Sequence, residues 1–159
     1  MSKDYDPMRY EVNYMPVKVP VGFKKTHPAA ELPEYAHESD SGMDVRSVES
    51  ATVPPRSFRL FDTGLAPDLP QGYELQVRPR SGMQCKKGVV AGWGTVDAGY
   101  HGSIGVVLYN HTDAEYKVEA GDRIAQLVVA PVVQAEVREV AELGASDRGA
   151  DGFGSTGIK

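Results

Sequence analysis

Alternating apolar and polar residues recur in short stretches along most of the chain. Residues 73–78 and 104–108 each place an apolar side chain at every second position, which is the period of a strand with one buried face. Residues 58–64 predict a strand that ends in an Asp-Thr-Gly turn. Residues 124–133 are almost continuously apolar, which predicts a strand buried on both faces.

Turn-forming residues separate these stretches. They are Pro54-Pro55, Pro70-Gln71-Gly72, Ala91-Gly92-Trp93-Gly94 and Ala120-Gly121-Asp122. Short strands punctuated in this way indicate an all-β sandwich or barrel, and 159 residues suit a single domain. We expect an N-terminal extension at 1–21, a β-barrel core at 22–140 and a flexible C-terminal arm at 141–159. Val137 and Val140 would form a last short strand of the core.

One short helix is predicted immediately after the strand at 73–78. Ser81 is followed three residues later by Gln84, the spacing of a capping box, so Ser81 is predicted as the N-cap. Lys86 and Lys87 fall in the last turn, and Gly88 can adopt the left-handed conformation that ends a helix. The free N–H groups at such a start can bind an anion, although an ordinary capped turn has the same pattern.

Composition and charge narrow the setting. The net charge is −5, whereas domains that bind DNA or RNA polymers are usually basic, so we expect no polymeric nucleic acid as a partner. No run of about 18 apolar residues is present, and we expect no membrane contact. The single cysteine, Cys85, suits a reducing compartment, and the cytoplasm is the expected location. We expect Cys85 to pack within the helix.

The last residues form a Gly-rich segment with an arginine, a phenylalanine and two hydroxyl side chains, from Arg148 to Thr156. Backbone N–H groups in such a segment can wrap an anion, with Arg148 as the opposite charge. A frayed terminus would have the same composition. The signal is therefore weak when it is taken alone.

Five segments in order closely resemble the five motifs of the trimeric dUTPase family, enzymes that hydrolyse dUTP to dUMP and pyrophosphate. The segments are Asp40-Ser41-Gly42-Met43-Asp44-Val45, Pro79-Arg80-Ser81-Gly82-Met83, Gly94-Thr95-Val96-Asp97-Ala98-Gly99-Tyr100-His101-Gly102, Gly121-Asp122-Arg123-Ile124-Ala125-Gln126-Leu127, and Arg148-Gly149 followed by Gly152-Phe153-Gly154-Ser155-Thr156-Gly157. The resemblance implies a jelly-roll-type β-barrel that assembles as a homotrimer. It also implies active sites at the subunit interfaces, dUTP as substrate and Mg²⁺ as cofactor.

The resemblance assigns the chemistry to the third motif. Asp97 would activate the water that attacks the α-phosphorus in line. Tyr100 would pack against the sugar and leave no room for a 2′-hydroxyl. Backbone groups of Gly94, Thr95 and Val96 would recognise uracil, since fixed donors and acceptors reject the reversed pattern of cytosine.

The other motifs would bind the triphosphate. Arg80, Ser81, Gly82 and Gln126 would contact phosphate oxygens, and Asp44 would hold Mg²⁺ through water rather than in a dedicated protein cage. In the arm, the resemblance implies that Arg148 reaches the γ-phosphate and that Phe153 stacks over uracil. Gly154 would also contact the substrate. Ser155 and Thr156 would contact the phosphates through their hydroxyls.

Several residues depart from the family pattern. Asp151 stands where many members have Gly, and Gln84 replaces a small residue. Gly99, His101 and Ser103 replace the Asp, Arg and Glu that are often found there, and we expect these changes to alter the hairpin surface or trimer contacts. Two alternatives remain. One is an enzyme like dCTP deaminase, and the other is a non-catalytic nucleotide-sensing or protein-binding module on the same fold.

Overall fold

The computed structural model describes residues 18–147 and 149–150. This part of the chain holds eleven strands and one helix. They are β1 (Gly22–Lys25), β2 (Met43–Arg46), β3 (Ala51–Val53), β4 (Phe58–Asp62), β5 (Leu65–Asp68), β6 (Tyr73–Arg78), α1 (Ser81–Lys87), β7 (Val89–Ala91), β8 (Gly94–Val96), β9 (Gly105–Asn110), β10 (Tyr116–Val118) and β11 (Arg123–Pro131). The fold is all-β, of jelly-roll type, as the sequence predicts.

Every strand pairing is antiparallel. The largest sheet has four strands in the order β2-β11-β6-β8, and a three-stranded sheet has the order β4-β9-β7. Two pairs, β1 with β5 and β3 with β10, complete the described strands. The sheets enclose one apolar core whose largest fully buried side chains include Phe61, Leu75, Ile104, Leu108 and Leu127. The alternation at 73–78 and 104–108 is thus confirmed as the pattern of half-buried strands.

The apolar run at 124–133 behaves differently along its length. In β11, Ile124, Ala125 and Leu127 are buried, but Val132 and Val133 lie beyond the strand and are exposed. Strand β2 pairs with β11 only as far as Leu127, so the rest of β11 has a neighbour on one side alone. Val128, Val129 and Ala130 are only partly buried, so the prediction of a strand buried on both faces is wrong for its second half.

The chain beyond β11 carries apolar side chains without strand pairing. Residues 132–147 form no strand in this structure, so the short strand predicted at Val137 and Val140 is absent from the single chain. Val133, Val137 and Leu143 are 94%, 91% and 90% exposed. The predicted domain boundary at residue 140 stays a prediction.

Helix α1 begins one residue earlier than the predicted capping box requires. Arg80 is the N-cap and has no side-chain cap hydrogen bond, so Ser81 is the first helical residue. Gly88 has φ = 63° and ends the helix in the left-handed conformation, as predicted. Met83 is the buried residue of α1, and Cys85 is exposed, which contradicts its predicted packing role.

Strand β11 contains an irregularity close to the cavity described below. Arg123 pairs with Arg46 and Ala125 pairs with Val45, so two steps along β11 match one step along β2. This is the geometry of a β-bulge. As a result, Ile124 and Ala125 are both buried although they are consecutive.

Candidate functional site

Sheet pairing brings predicted site residues from distant parts of the chain into one row. Gln126 of β11 lies opposite Asp44 of β2 on one side and opposite Arg78 of β6 on the other. Directly opposed side chains in an antiparallel sheet project from the same face. The chain leaves β6 at Arg78 and enters α1 through Arg80, so Arg80 reaches the same end of the sheet.

The carboxylate of Asp44 is held between two arginines. Arg80 donates from Nε to Asp44 Oδ1 at 2.8 Å and from Nη2 to Oδ2 at 3.3 Å. Arg123 donates from Nη1 to Oδ2 at 3.1 Å. Arg80 also donates from Nη1 to the carbonyl oxygen of Arg123 at 3.2 Å. The Asp44 side chain is only 15% exposed, so water screens these pairs less than it would on an open surface.

Gln126 is positioned by the backbone and by the absence of a side chain at Gly42. Its Nε2 donates to the carbonyl oxygen of Pro79 at 2.9 Å. A Cβ added at Gly42 would lie 3.0 Å from Gln126 Cδ and would overlap Oε1. The glycine therefore leaves the space in which the Gln126 side chain lies.

These residues line a cavity of about 510 Å³, which also includes the exposed first residues of α1, Ser81 and Gly82. The structure thus brings together Asp44, Arg80, Ser81, Gly82 and Gln126, as the sequence predicts. Sequence reasoning assigned no ligand-binding role to several other lining residues, among them His37, Asp40, Lys86, Lys87 and Tyr116. The two lysines are consecutive at the end of the helix, and their charge next to the cavity is the signal that could have identified them.

Tyr116 contacts the same region from β10. It lines the cavity of Asp44 and Arg80 and a smaller neighbouring one with Arg123. Burial raises the pKa of the Tyr116 phenol, the negative charge of Asp122 adds to the increase, and Arg80 opposes it. The phenol therefore stays protonated at neutral pH and can serve as a hydrogen-bond donor there.

The residues of the third motif line a separate cavity of about 200 Å³. Strand β8 supplies Gly94, Thr95 and Val96, and the following turn supplies Asp97 and Tyr100. The Tyr100 N–H donates to the Asp97 carbonyl oxygen at 3.0 Å, which closes the turn. The Asp97 side chain is exposed, and no described residue donates a hydrogen bond or an ion pair to its carboxylate.

The two cavities have no described lining residue in common. The structure therefore gathers the predicted site residues into two groups and does not bring the groups together within one chain. Arg148, Phe153, Gly154, Ser155 and Thr156 lie outside the described residues, as does Asp151. The nucleotide group that each of these residues contacts stays a prediction.

The described residues hold no cluster of three or more His, Cys, Asp or Glu side chains that is arranged to bind a metal ion. In the same part of the chain, none of the helical sequence has the length and hydropathy needed to cross a membrane.

Comparisons with known proteins all point to the same family. The sequence profile described as dUTPase matches residues 29–157. A protein of Anaeromyxobacter sp. (strain Fw109-5) called deoxyuridine 5′-triphosphate nucleotidohydrolase is 48% identical over 146 residues, which cover 90% of this chain and 99% of that protein. A protein of the same name from Picosynechococcus sp. is 47% identical over 135 residues, covering 84% of this chain and 95% of that protein.

Solved structures have the same fold. The dUTPase of Staphylococcus bacteriophage 80alpha, solved with dUPNHPP, superposes with a TM-score of 0.83 at 31% identity and covers 87% of this chain and 99% of its own. A mutant dUTPase from phage phi11 of S. aureus, described with a structural Mg(II) ion, gives a TM-score of 0.74 at 26% identity and covers 79% of this chain and 99% of its own. With the profile match over most of its length, the chain belongs to the dUTPase family.

Proposed function

We propose that this protein hydrolyses dUTP to dUMP and pyrophosphate. The observation that carries the proposal is the cavity in which Arg80, Asp44 and Gln126 converge at the start of α1. The relatives named above are called deoxyuridine 5′-triphosphate nucleotidohydrolases. The exposed carboxylate of Asp97 supplies the group that the chemistry needs in the other cavity.

The cavity of Arg80 suits a triphosphate. Arg80 donates some of its N–H groups to Asp44. Its planar guanidinium is well suited to bind phosphate oxygens. Lys86 and Lys87 add positive charge to the same lining. Ser81 and the backbone at Gly82 add donors where the chain enters the helix. Phosphoryl transfer depends mainly on this kind of positioning and charge stabilisation.

The donor set fits Mg²⁺ held through water. Asp44 accepts one hydrogen bond at Oδ1 and two at Oδ2 from Arg80 and Arg123, so Oδ1 can still accept a hydrogen bond from a metal-bound water. Mg²⁺ prefers oxygen ligands and keeps several waters, and substrate phosphates provide the direct ligands. When bound, the ion would neutralise charge on the phosphates. Asp44 is the residue we assign to orient one of its waters.

The reaction centre would be the α-phosphorus. The Asp97 carboxylate accepts a proton from a water while the water oxygen forms a bond to that phosphorus. The bond from the α-phosphorus to the oxygen that bridges it to the β-phosphorus breaks, and pyrophosphate leaves with that oxygen. The exposed Asp97 carboxylate has no described partner, so it is available to a water.

Strand β8, which pairs with β6, and the turn that follows it would bind the nucleoside. Gly94, Thr95 and Val96 line its cavity, and we propose that their backbone groups recognise uracil. Tyr100 lines the same cavity, and we propose that its ring excludes a 2′-hydroxyl. A steric wall of this kind discriminates through the energy of the clash rather than through a new attraction.

The C-terminal residues would complete the site when substrate binds. We propose that Arg148 contacts the γ-phosphate and Phe153 stacks on uracil, with Gly154, Ser155 and Thr156 on the phosphates. Closure of such a segment over a substrate excludes water from the reacting groups.

We propose that the working unit is a homotrimer with active sites at its interfaces. The phosphate-side and nucleoside-side residues line different cavities of one chain, so a second copy is needed to bring a complementary half to each. Residues 132–147 present Val133, Val137 and Leu143 to solvent, which suits docking on a neighbouring copy. The single cysteine supports the cytoplasm as the place of the reaction.

The activity is tested by pyrophosphate release from dUTP with Mg²⁺, with dCTP, dTTP and UTP as controls. Selective turnover of dUTP is the expected result. Ammonia release from dCTP would point instead to the deaminase alternative. Binding of dUTP without turnover would leave only a nucleotide-sensing role.

The interface arrangement is tested by mixing two inactive variants. Arg80→Gln inactivates the phosphate half of the site, and Asp97→Asn inactivates the half formed by β8 and its following turn. The two chains are co-expressed with different tags. Randomly mixed trimers should recover about a quarter of wild-type activity, because each site then takes its two halves from different copies. The matched control combines Arg80→Gln with Gln126→Ala, which damage the same half and should not complement. Equal activity of both mixtures would contradict an interface site.

A further inference from the structure

The ring of Tyr100 has a defined position in the turn that follows β8. Its hydroxyl donates to the carbonyl oxygen of Ser103 at 2.9 Å. Its backbone N–H donates to the Asp97 carbonyl oxygen at 3.0 Å. The side chain therefore folds back over the turn, with its backbone and its hydroxyl both hydrogen-bonded, although Tyr100 is 45% exposed in the single chain.

Gly102 leaves the space for this ring position. A Cβ added at Gly102 would lie 2.5 Å from Tyr100 Oη, 2.6 Å from Cζ and 3.0 Å from Cε2. These separations are well inside van der Waals contact, and the atoms belong to a stiff ring. Any other residue at this position would force the ring of Tyr100 to move.

Ser103 is itself fixed to another part of the fold. Its hydroxyl donates to Asp62 Oδ1 at the end of β4. The same carboxylate oxygen accepts the N–H of Gly64 at 2.8 Å. Gly64 has φ = 65°, so Asp62 caps the turn between β4 and β5 while it holds Ser103.

The backbone reinforces this attachment. The Ile104 N–H donates to the Leu65 carbonyl oxygen at 2.8 Å, and the Thr63 N–H and hydroxyl donate to the Ile104 carbonyl oxygen at 3.1 and 2.8 Å. Thr63 and Ile104 are buried. The carbonyl group of Ser103, which accepts from Tyr100, therefore projects from a segment anchored in the core.

We propose that Asp62, Gly102 and Ser103 are positioning residues that set the ring of Tyr100 and, through it, the selectivity for deoxyribose over ribose. The inference rests on the proposed function of Tyr100. A ring that excludes one hydroxyl group must be stiff, because a small displacement opens enough space to admit it. The hydrogen bond to Ser103 and the contact with Gly102 supply that stiffness.

The measurement is kcat/KM for dUTP and for UTP, expressed as a ratio, for paired variants. Ser103→Ala and Asp62→Ala remove the anchoring bond, and the ratio should fall about fivefold, the effect of one ordinary hydrogen bond. Ser103→Thr and Asp62→Asn keep a donor and an acceptor and should retain the wild-type ratio. Gly102→Ala should lower the ratio by more than either alanine variant, because its Cβ displaces the ring directly.

The outcomes separate this inference from the proposed function. An unchanged ratio in Ser103→Ala and Asp62→Ala, with dUTP turnover intact, overturns the positioning role and leaves the dUTPase activity standing. A parallel fall for both nucleotides, accompanied by a lower Tm, assigns the residues a structural role and also overturns it. Failure of the wild-type protein to hydrolyse dUTP overturns both proposals.

Discussion

The two aspartates that carry most of the proposed chemistry have opposite environments. Asp44 is largely buried and accepts hydrogen bonds from Arg80 and Arg123. Asp97 is exposed, and its carboxylate makes no hydrogen bond with the described residues. A carboxylate that is hydrogen-bonded to two arginines positions their positive charges. A carboxylate without such partners can accept a proton. The fold thus assigns one aspartate to electrostatics and leaves the other available for reaction.

Asp97→Asn is the strongest test of this difference between the two aspartates. The amide cannot accept the proton of the attacking water, so kcat should fall by about 10²- to 10⁴-fold. Because Asp97 has no described partner, Tm should remain at the wild-type value. Pyrophosphate release and thermal unfolding measure the two effects. Asp113→Asn, at another exposed aspartate, is the control and should keep full activity. Full activity of Asp97→Asn would remove the proposed base.

Gly42→Ala tests the phosphate side without changing a charge. The new Cβ would overlap Gln126, which must then move from its place beside Pro79. We expect kcat/KM for dUTP to fall by about 10- to 100-fold. Gln126→Ala should give a similar loss, and the double variant should be little worse than either single one. Additive losses would show that Gly42 acts independently of Gln126.

Asp44→Ala should affect stability where Asp97→Asn does not. The change leaves Arg80 and Arg123 without their partly buried partner, and unfolding free energy should fall by about 1–3 kcal/mol. Urea unfolding at equal chain concentration measures the loss. Asp44→Asn keeps one acceptor and should lose less. Equal stability of wild type and Asp44→Ala would contradict the electrostatic role.

The smallest effect is expected at the exposed pair of Arg56 and Asp113. The hydrogen bond from Arg56, followed by its charge, lowers the pKa of the Asp113 carboxyl. A lowered pKa means that the stabilisation is present above the unfolded pKa and is lost as pH falls through the folded pKa. Asp113→Asn should lower Tm only slightly at pH 7, and the difference should disappear in acid. Thermal unfolding between pH 7 and pH 2 checks this.

The sequence predicted the strands well where apolar and polar residues alternate regularly. Residues 73–78 and 104–108 alternate as predicted because one face of each strand meets the core. The end of the run at 124–133 was mispredicted, since the strand is only partly buried beyond Leu127, the residue at which β2 stops pairing. No local pattern records that partner, which lies some eighty residues away.

The residues of the site were predicted, but the hydrogen bonds between them were not. Resemblance supplied Asp44, Arg80 and Gln126, and the structure brings them to one cavity. The bond between Arg123 and Asp44 joins residues 79 positions apart, so spacing in the sequence could not reveal it. The predicted capping box is not formed, because Arg80 takes the N-cap without a side-chain hydrogen bond and Ser81 is the first helical residue.

The β-bulge in β11 constrains insertions and deletions in this part of the chain. Arg123 and Gln126 are an odd number of residues apart, so a regular strand would turn them to opposite faces. The extra residue between Arg123 and Ala125 shifts the phase of the strand and lets both reach the Asp44 side. Loss of a single codon here would turn one of them into the core. The number of residues in this stretch is therefore constrained as tightly as the identities of Arg123 and Gln126.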